Sequence, residues 1–204
     1  MMRPIPIYLA VEDELSEWVA RRILRERQVE YAIGPVFRRG GFGYLKKNIR
    51  SFSNAAKGCP ILLLTDLDRY SCPPELVTDW IASPLHRNFL LRVAVREVES
   101  WLLGDRNGIS GFLRLKKSVS IPNPENPSDP KEELLRHALK CPTRQIRDAL
   151  VWRDDRTGKL HQGPDYNGTL GSFVMNQWDI SSACSQCHSL DRIFAALQRL
   201  ENRV

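Results

Sequence analysis

P-I-L-L-L-T-D, residues 60–66, decides the fold. Ile61, Leu62, Leu63 and Leu64 are apolar without alternation, so both faces of the segment must be covered. A short segment covered on both faces is a central strand of a parallel sheet. Upstream, I-P-I-Y-L-A-V at 5–11 is another short run rich in strand formers. Glu14–Arg27 between them spaces Leu15, Trp18, Val19 and Ile23 along one helical face, with arginines opposite. Val29–Phe37 reads as a second strand interrupted by Gly34 and Pro35. Arg38–Gly43 is a basic, glycine-rich loop, and Tyr44–Lys57 is a helix closed by Gly58. Downstream, Pro74–Ile81 is a helix opened by proline, and N-F-L-L-R-V-A-V at 88–95 is a further strand. It runs into E-V-E-S-W-L-L at 97–103. There the burial needs of Val98, Trp101 and Leu102 predict a helix from about Val98, with Glu97 at the strand end and Glu99 in the first turn.

Strand and helix thus alternate from residue 5 to about 104, which predicts an α/β, Rossmann-like fold with a mostly parallel central sheet. The remainder differs. Residues 119–130, V-S-I-P-N-P-E-N-P-S-D-P, carry four prolines and form a loop. A helix follows from Asp129 and Pro130 to Lys140, residues 152–172 are polar and glycine-bearing, and Leu190–Leu200 is an amphipathic helix. The predicted organisation is a core over 1–110 and a helical, partly irregular extension over 111–204 packed on it.

Hydrophobic residues make up 42% of the chain, enough for a true core. No apolar run reaches the roughly 18 residues of a membrane span, and Met1–Val11 lacks the marks of a signal peptide. The five cysteines are scattered and odd in number, which suits reduced thiols in a cytoplasmic protein. The net charge of +6 favours an acidic partner, nucleic acid foremost.

Ligand sites of parallel α/β folds lie beyond the carboxyl ends of the strands. Three such ends are acidic here. The first delivers Glu12, Asp13 and Glu14, the strongest strand delivers Asp66 and Asp68, and the fourth delivers Glu97 and Glu99. Extended backbone at 66–68 would turn Asp66 and Asp68 to one side. Clustered carboxylates repel and raise one another's pKa unless a cation joins them. Oxygen donors in such a cluster suit Mg2+ or Mn2+. The pattern therefore predicts a metal at this rim, held by carboxylates of the three strand ends.

These residues resemble a family. V-E-D-E-L-S-E at 11–17 resembles the first TOPRIM motif, a strand ending in glutamate before a helix, and L-L-L-T-D-L-D at 62–68 resembles the second, D-x-D. R-E-V-E-S-W-L-L-G-D at 96–105 and the D-P-K of 129–131 are similar to stretches of small TOPRIM-like proteins related to the overcoming-lysogenisation-defect nucleases. The resemblance covers about residues 5–140. It departs where Asp13 replaces the glycine that usually follows the glutamate. It implies a magnesium-dependent nuclease, with Glu12 as general acid or base or first metal ligand, Asp66 and Asp68 holding magnesium, and Glu97 and Glu99 serving a second ion. Two ions about 4 Å apart would clamp the attacking and leaving oxygens. Lys131 would neutralise charge on a phosphate. The resemblance also implies an anti-phage role beside an ABC-type ATPase partner, the chain having no phosphate-binding loop of its own. The alternative is a non-catalytic or regulatory subunit of the same fold. A homodimer is compatible with either.

Rival motifs carry less. Cys184, Cys187 and His188 spell the haem-attachment pattern C-x-x-C-H, but a reduced chain with no second ligand pair gives it no role. A receiver-like phosphoacceptor domain, a lesser alternative, would place a hydroxyl residue after the fourth strand and a later Lys-Pro, whereas here Glu97 and Glu99 follow that strand and no Lys-Pro pair occurs. Arg38, Arg39, Lys46 and Lys47 are the candidate nucleic-acid contacts, with Phe42 or Tyr44 stacking on a base. Trp101, Trp152, Trp178 and Phe173 read as core.

Overall fold

The computed structural model describes residues 3–126 and 129–203. In chain order its elements are β1 (Ile5–Val11), α1 (Glu14–Arg25), β2 (Tyr31–Phe37), α2 (Gly41–Ala55), β3 (Ile61–Asp66), α3 (Pro73–Trp80), β4 (Phe89–Ala94), α4 (Val98–Gly104) and α5 (Arg106–Phe112). They continue with α6 (Pro130–Ala138), α7 (Arg144–Leu150), β5 (Val151–Arg153), β6 (Leu160–Gln162), α8 (Tyr166–Asn176), α9 (Ile180–Gln186) and α10 (His188–Glu201). The chain forms two compact units. One is Met1–Val95 with Ser189–Val204, and the other is Arg96–His188. The sequence-based boundary near 110 thus gives way to one at 95–96, and most of the last helix belongs with the first unit.

In the first unit the sheet has the order β2-β1-β3-β4, and every pairing is parallel. The P-I-L-L-L-T-D strand is central, as its two apolar faces require: Ile61–Leu64 are completely buried. On one face, Ala10, Leu63 and Val93 meet Leu45, Ile49 and Phe52 of α2 and Leu76 and Trp80 of α3. Helix α1 contributes Leu15, Val19 and Ile23, all fully buried, and packs on β1 and β3. Strand order fixes where a ligand can enter. The chain leaves β1 in one direction to reach β2 and crosses back to β3, so β1 and β3 flank the reversal, and their carboxyl ends frame the crevice.

Two irregularities have local causes. The β1–β2 register shifts between Ile7 and Leu9, leaving one extra residue in β2 around Gly34 and Pro35. A Cβ on Gly34 would stand 2.7 Å from the Tyr8 ring, and Pro35 is tolerated because β2 is an edge strand. Helix α2 starts at Gly41, earlier than the predicted Tyr44, after Gly40 adopts φ 84°. Half of the predicted glycine loop is therefore helical.

The terminal helix is tied into the first unit at both ends. Near its start, the Ser189 hydroxyl accepts from the Val95 N–H at 3.2 Å. Near its end, Arg27 forks onto Glu201 at 2.8 and 2.6 Å, and the Tyr31 hydroxyl donates to the same carboxylate at 2.9 Å. Burial, then the bond to Glu201, pushes the Tyr31 phenol up, while the Arg27 bond holds Glu201 below the usual carboxylate range.

In the second unit, Trp101, Trp178 and Phe173 are buried as predicted, but Trp152 is 49% exposed. It stacks on His161 across the β5–β6 hairpin, with centroids 4.5 Å apart. The polar stretch 152–172 is this hairpin followed by α8, which periodicity did not reveal because three-residue strands carry none. Helix α4 approaches α9 closely: a Cβ on Gly104 would lie 2.8 Å from Cys187 Sγ. Cys187 is fully buried, its thiol donating to the Ser100 carbonyl at 3.5 Å, and burial pushes its pKa far up. The second cysteine of C-x-x-C-H is thus a core residue. Among the described residues no helix is long and apolar enough to cross a membrane.

Glu201→Ala leaves the mostly buried Arg27 guanidinium without its carboxylate. Such an orphaned charge costs about 2–4 kcal/mol, and thermal denaturation should show a correspondingly lower midpoint. Glu201→Gln, which can still accept from Arg27, should fall by less.

Candidate functional site

Glu12 follows the last residue of β1, and its carboxylate reaches across to the end of β3. Oε1 accepts from the Thr65 hydroxyl and from the Asp66 N–H, the latter at 2.8 Å across 54 residues of sequence. Glu12 and Asp66 therefore share the carboxyl rim of the sheet at the β1/β3 reversal, as the D-x-D pattern predicted. Burial is the main influence on Glu12 and raises its pKa. The Thr65 and Asp66 bonds oppose it, and the charges of Asp13 and Asp68 add to it. Asp13 caps α1, accepting from the Ser16 N–H at 2.8 Å. Its φ of −143° is extended backbone open to any residue, so the turn needs no glycine there.

Asp66 ends β3, but the backbone does not stay extended to Asp68. Asp68 has φ 52° in a turn closed by the Tyr70 N–H on the Leu67 carbonyl at 3.1 Å. The simple alternation that would place Asp66 and Asp68 side by side thus fails. Asp68 instead turns back and stands exposed, close enough to Glu12 for its charge to raise that group. Aspartate is one of the few residues that tolerate this conformation. Thr65 is the contributor that the sequence reading missed, although a hydroxyl in an otherwise apolar strand end was the available signal.

Among the described residues, no three His, Cys, Asp or Glu side chains stand together as a ready-made metal group. Magnesium asks for less, commonly binding through one or two carboxylates while keeping waters and substrate phosphates. The donor chemistry at the reversal fits that ion. Glu12, Asp66 and Asp68 offer only hard oxygens, and Glu12 has one oxygen, Oε1, fixed by two donors.

Glu97 and Glu99 lie in the second unit, with Lys131 and Tyr166 around them. Helix α4 begins at Val98 as predicted, with Glu97 in extended backbone before it and Glu99 in its first turn. Glu99 is 1% exposed and accepts from the Tyr166 hydroxyl at 2.9 Å. The Lys131 ammonium stands 3.6 Å from Glu99 and 3.9 Å from Glu97. The Lys131 N–H, in the first turn of α6, donates to Glu97 at 3.1 Å. Burial, and then the Glu99 charge, pushes Glu97 up to about 7 in spite of Lys131. The D-P-K stretch therefore serves the E-V-E stretch. Asp129 caps α6 by accepting from the Glu132 N–H at 2.6 Å, and the α6 N-terminus faces Glu97. Asp105, the last residue of the same motif, is structural, accepting from the Gly108 N–H at 2.8 Å and the Asp179 N–H at 2.9 Å. Tyr166, 67 residues from Glu99, had no local sequence signal.

The family described as domain of unknown function (DUF4276) matches residues 9–198. The chain belongs to that family. The match extends into both compact units and takes in Glu12, Asp66, Asp68, Glu97 and Glu99. No curated protein and no solved structure matches the chain.

The predicted nucleic-acid contacts of this DUF4276 chain are divided in their surroundings. Arg38 pairs with Glu17 at 3.3 Å and Glu14 at 3.8 Å, whereas Arg39 is exposed. Lys46 pairs with Asp79 at 2.5 Å, and with Lys47 it lines a cleft of about 560 Å³ that also contains Arg50 and Trp80. Phe42 is half-buried in an aromatic cluster. Tyr70 lies against its ring at 6.1 Å and Trp80 meets it edge-on at 4.8 Å, and Tyr44 packs on the same core.

Glu97 yields a pH prediction. A carboxyl whose folded pKa is raised gives stability that is present below its unfolded pKa, about 4.5, and lost as pH rises through about 7. Unfolding free energy measured in EDTA should fall between about pH 5 and 7. Glu97→Gln should remove this fall and match or exceed the parent at pH 8, by roughly 1–3 kcal/mol. Parallel pH profiles for the two proteins would contradict the raised pKa.

Proposed function

We propose that this chain is a magnesium- or manganese-dependent TOPRIM-type nuclease that hydrolyses phosphodiester bonds in nucleic acid. The observation that carries the reading is the Glu12 carboxylate, fixed at the β1/β3 reversal by Thr65 and the Asp66 N–H with Asp68 nearby. Glu12, Asp66 and Asp68 would hold the ion, and Glu97 and Glu99 are the candidates for a second. A bound divalent ion supplies charge stabilisation to phosphoryl oxygens and acidifies a coordinated water. The protein's own residues do the rest. Thr65 and the Asp66 N–H orient Glu12, and the burial that raises its pKa is what a bound cation would offset. Lys131 places a positive charge beside two carboxylates in the second unit, where it would also meet a phosphate. The net charge of +6 and the basic residues Arg39, Lys47 and Arg50 favour a polyanionic substrate. The TOPRIM resemblance adds the rest of the proposal: a cytoplasmic effector of anti-phage defence beside an ABC-type ATPase.

One observation favours the second reading, a regulatory subunit without its own chemistry. Lys131 already supplies Glu97 and Glu99 with a counter-charge that a second ion would otherwise give.

Plasmid, single-stranded DNA and tRNA incubated with the purified chain and magnesium or manganese, with and without an ATPase partner, separate the two. The nuclease reading expects cleavage of at least one substrate. Glu12→Gln, Asp66→Ala and Asp68→Asn should each reduce it by on the order of a hundredfold or more. No cleavage under any condition, or full cleavage by Asp66→Ala, would overturn it.

A further inference from the structure

A cavity of about 390 Å³ lies within the second unit, walled by the segment after α5 and the C-terminal end of α6. Arg114, Lys116, Lys117 and Lys140 line it, and among the described residues no carboxylate does. None of these four cations forms a salt bridge with a described residue. Most surface cations elsewhere in α6 and α7 do pair. Arg136 bonds Glu132 and Glu133, Arg144 bonds Asp148, and even His137, at the cavity wall, lies 3.2 Å from Glu133. The four exposed cations ring one hollow, and an anion held among them would offset their mutual repulsion.

The position of Arg114 supplies an independent observation. It has φ 50°, one of two non-glycine residues with positive φ among the described residues. It occupies the left-handed position just past α5, where the Leu115 N–H bonds the Ser110 carbonyl at 2.9 Å and the Arg114 N–H bonds the Gly111 carbonyl at 3.0 Å. This double closure is the helix stop that glycine fills most readily. An arginine there is strained, and strain of this kind gathers at functional positions. The wall is also held firmly, since the Ser110 hydroxyl accepts from the Val119 N–H at 2.8 Å. Leu115 and Pro142 give the cavity apolar surface beside its charges.

We propose that this cavity binds a nucleoside phosphate, with the phosphate met by Arg114, Lys116, Lys117 and Lys140 and the base laid against Leu115 and Pro142. Its size lies within the range of small-molecule sites, and its charge matches a multiply ionised phosphate. The ligand is either a free nucleotide or the phosphorylated end of a nucleic-acid strand, which share this chemistry. The site does not rest on the metal reading, so it is tested in EDTA.

Isothermal titration of the full chain in EDTA with adenosine 5′-diphosphate, adenosine and a 5′-phosphorylated tetranucleotide measures it. The diphosphate or the tetranucleotide should bind, and adenosine should not. Tighter binding of the tetranucleotide assigns the site to strand ends, and tighter binding of the diphosphate assigns it to free nucleotides. Arg114→Gly relieves the backbone, so its melting temperature should equal or exceed the parent's while affinity falls about tenfold or more. Lys116→Gln with Lys117→Gln should flatten the dependence of log affinity on log salt by about two. Absence of binding by both phosphates, equal binding of adenosine, or unchanged affinity in both variants would overturn the proposal.

Discussion

Glu12 Oε1 accepts two hydrogen bonds from the end of the neighbouring strand, and this link fixes the chemistry available at the rim of the sheet. It exists because β1 and β3 run parallel and adjacent, with Val11 paired to Leu64, so both strands stop at the same edge. A carboxylate placed there loses water. The Thr65 hydroxyl and the Asp66 N–H replace part of that hydration, and what they do not replace appears as a raised pKa. A cation would replace the remainder. The central apolar strand, the reversal of strand order and the acid at the strand end are thus one arrangement, since none positions a ligand without the other two.

The second unit solves a similar problem with protein groups. Glu99 is almost entirely buried, and the Tyr166 hydroxyl and the Lys131 ammonium meet it there. Glu97 shares the lysine and takes the N–H at the start of α6. Buried carboxylates are held in this way only where charge and donors are supplied together. The α6 helix then carries two different electrostatic surroundings: carboxylates at its first turn, and the cations that line the basic cavity at its last. Asp68 and Arg114, the two non-glycine residues with positive φ among the described residues, fall in the candidate site and in that cavity. Aspartate tolerates this conformation, whereas arginine is strained in it, so of the two only Arg114 carries a strained backbone beside its charge.

The parallel core was legible because burial on both faces leaves a plain mark. Ile61–Leu64 and the apolar positions of 5–11 admit few other arrangements, and the start of α4 followed from the burial needs of Trp101 and Leu102. Glu12 and Asp66 were legible for the same reason, since strand ends locate the rim. What escaped was short or distant. Elements of three to seven residues such as β5, β6, α7 and α9 are too brief to display a period. The turn at Asp68 breaks an alternation that the sequence alone continues. Tyr166 reaches Glu99 from 67 residues away, and Phe42 is held by Tyr70 and Trp80 from beyond β3, so neither relation leaves a local pattern.

The central claim is that Glu12 is poised at the β1/β3 reversal to share a divalent cation. Carboxyl-carbon NMR of selectively labelled glutamate, titrated against pH with and without magnesium, measures this directly, with Glu12→Gln assigning the signal. The account predicts that Glu12 titrates above 4.5 without the metal. It also predicts that saturating magnesium drives that pKa down by a unit or more, in the sense expected for an adjacent cation. A Glu12 pKa that magnesium leaves unmoved would contradict the account.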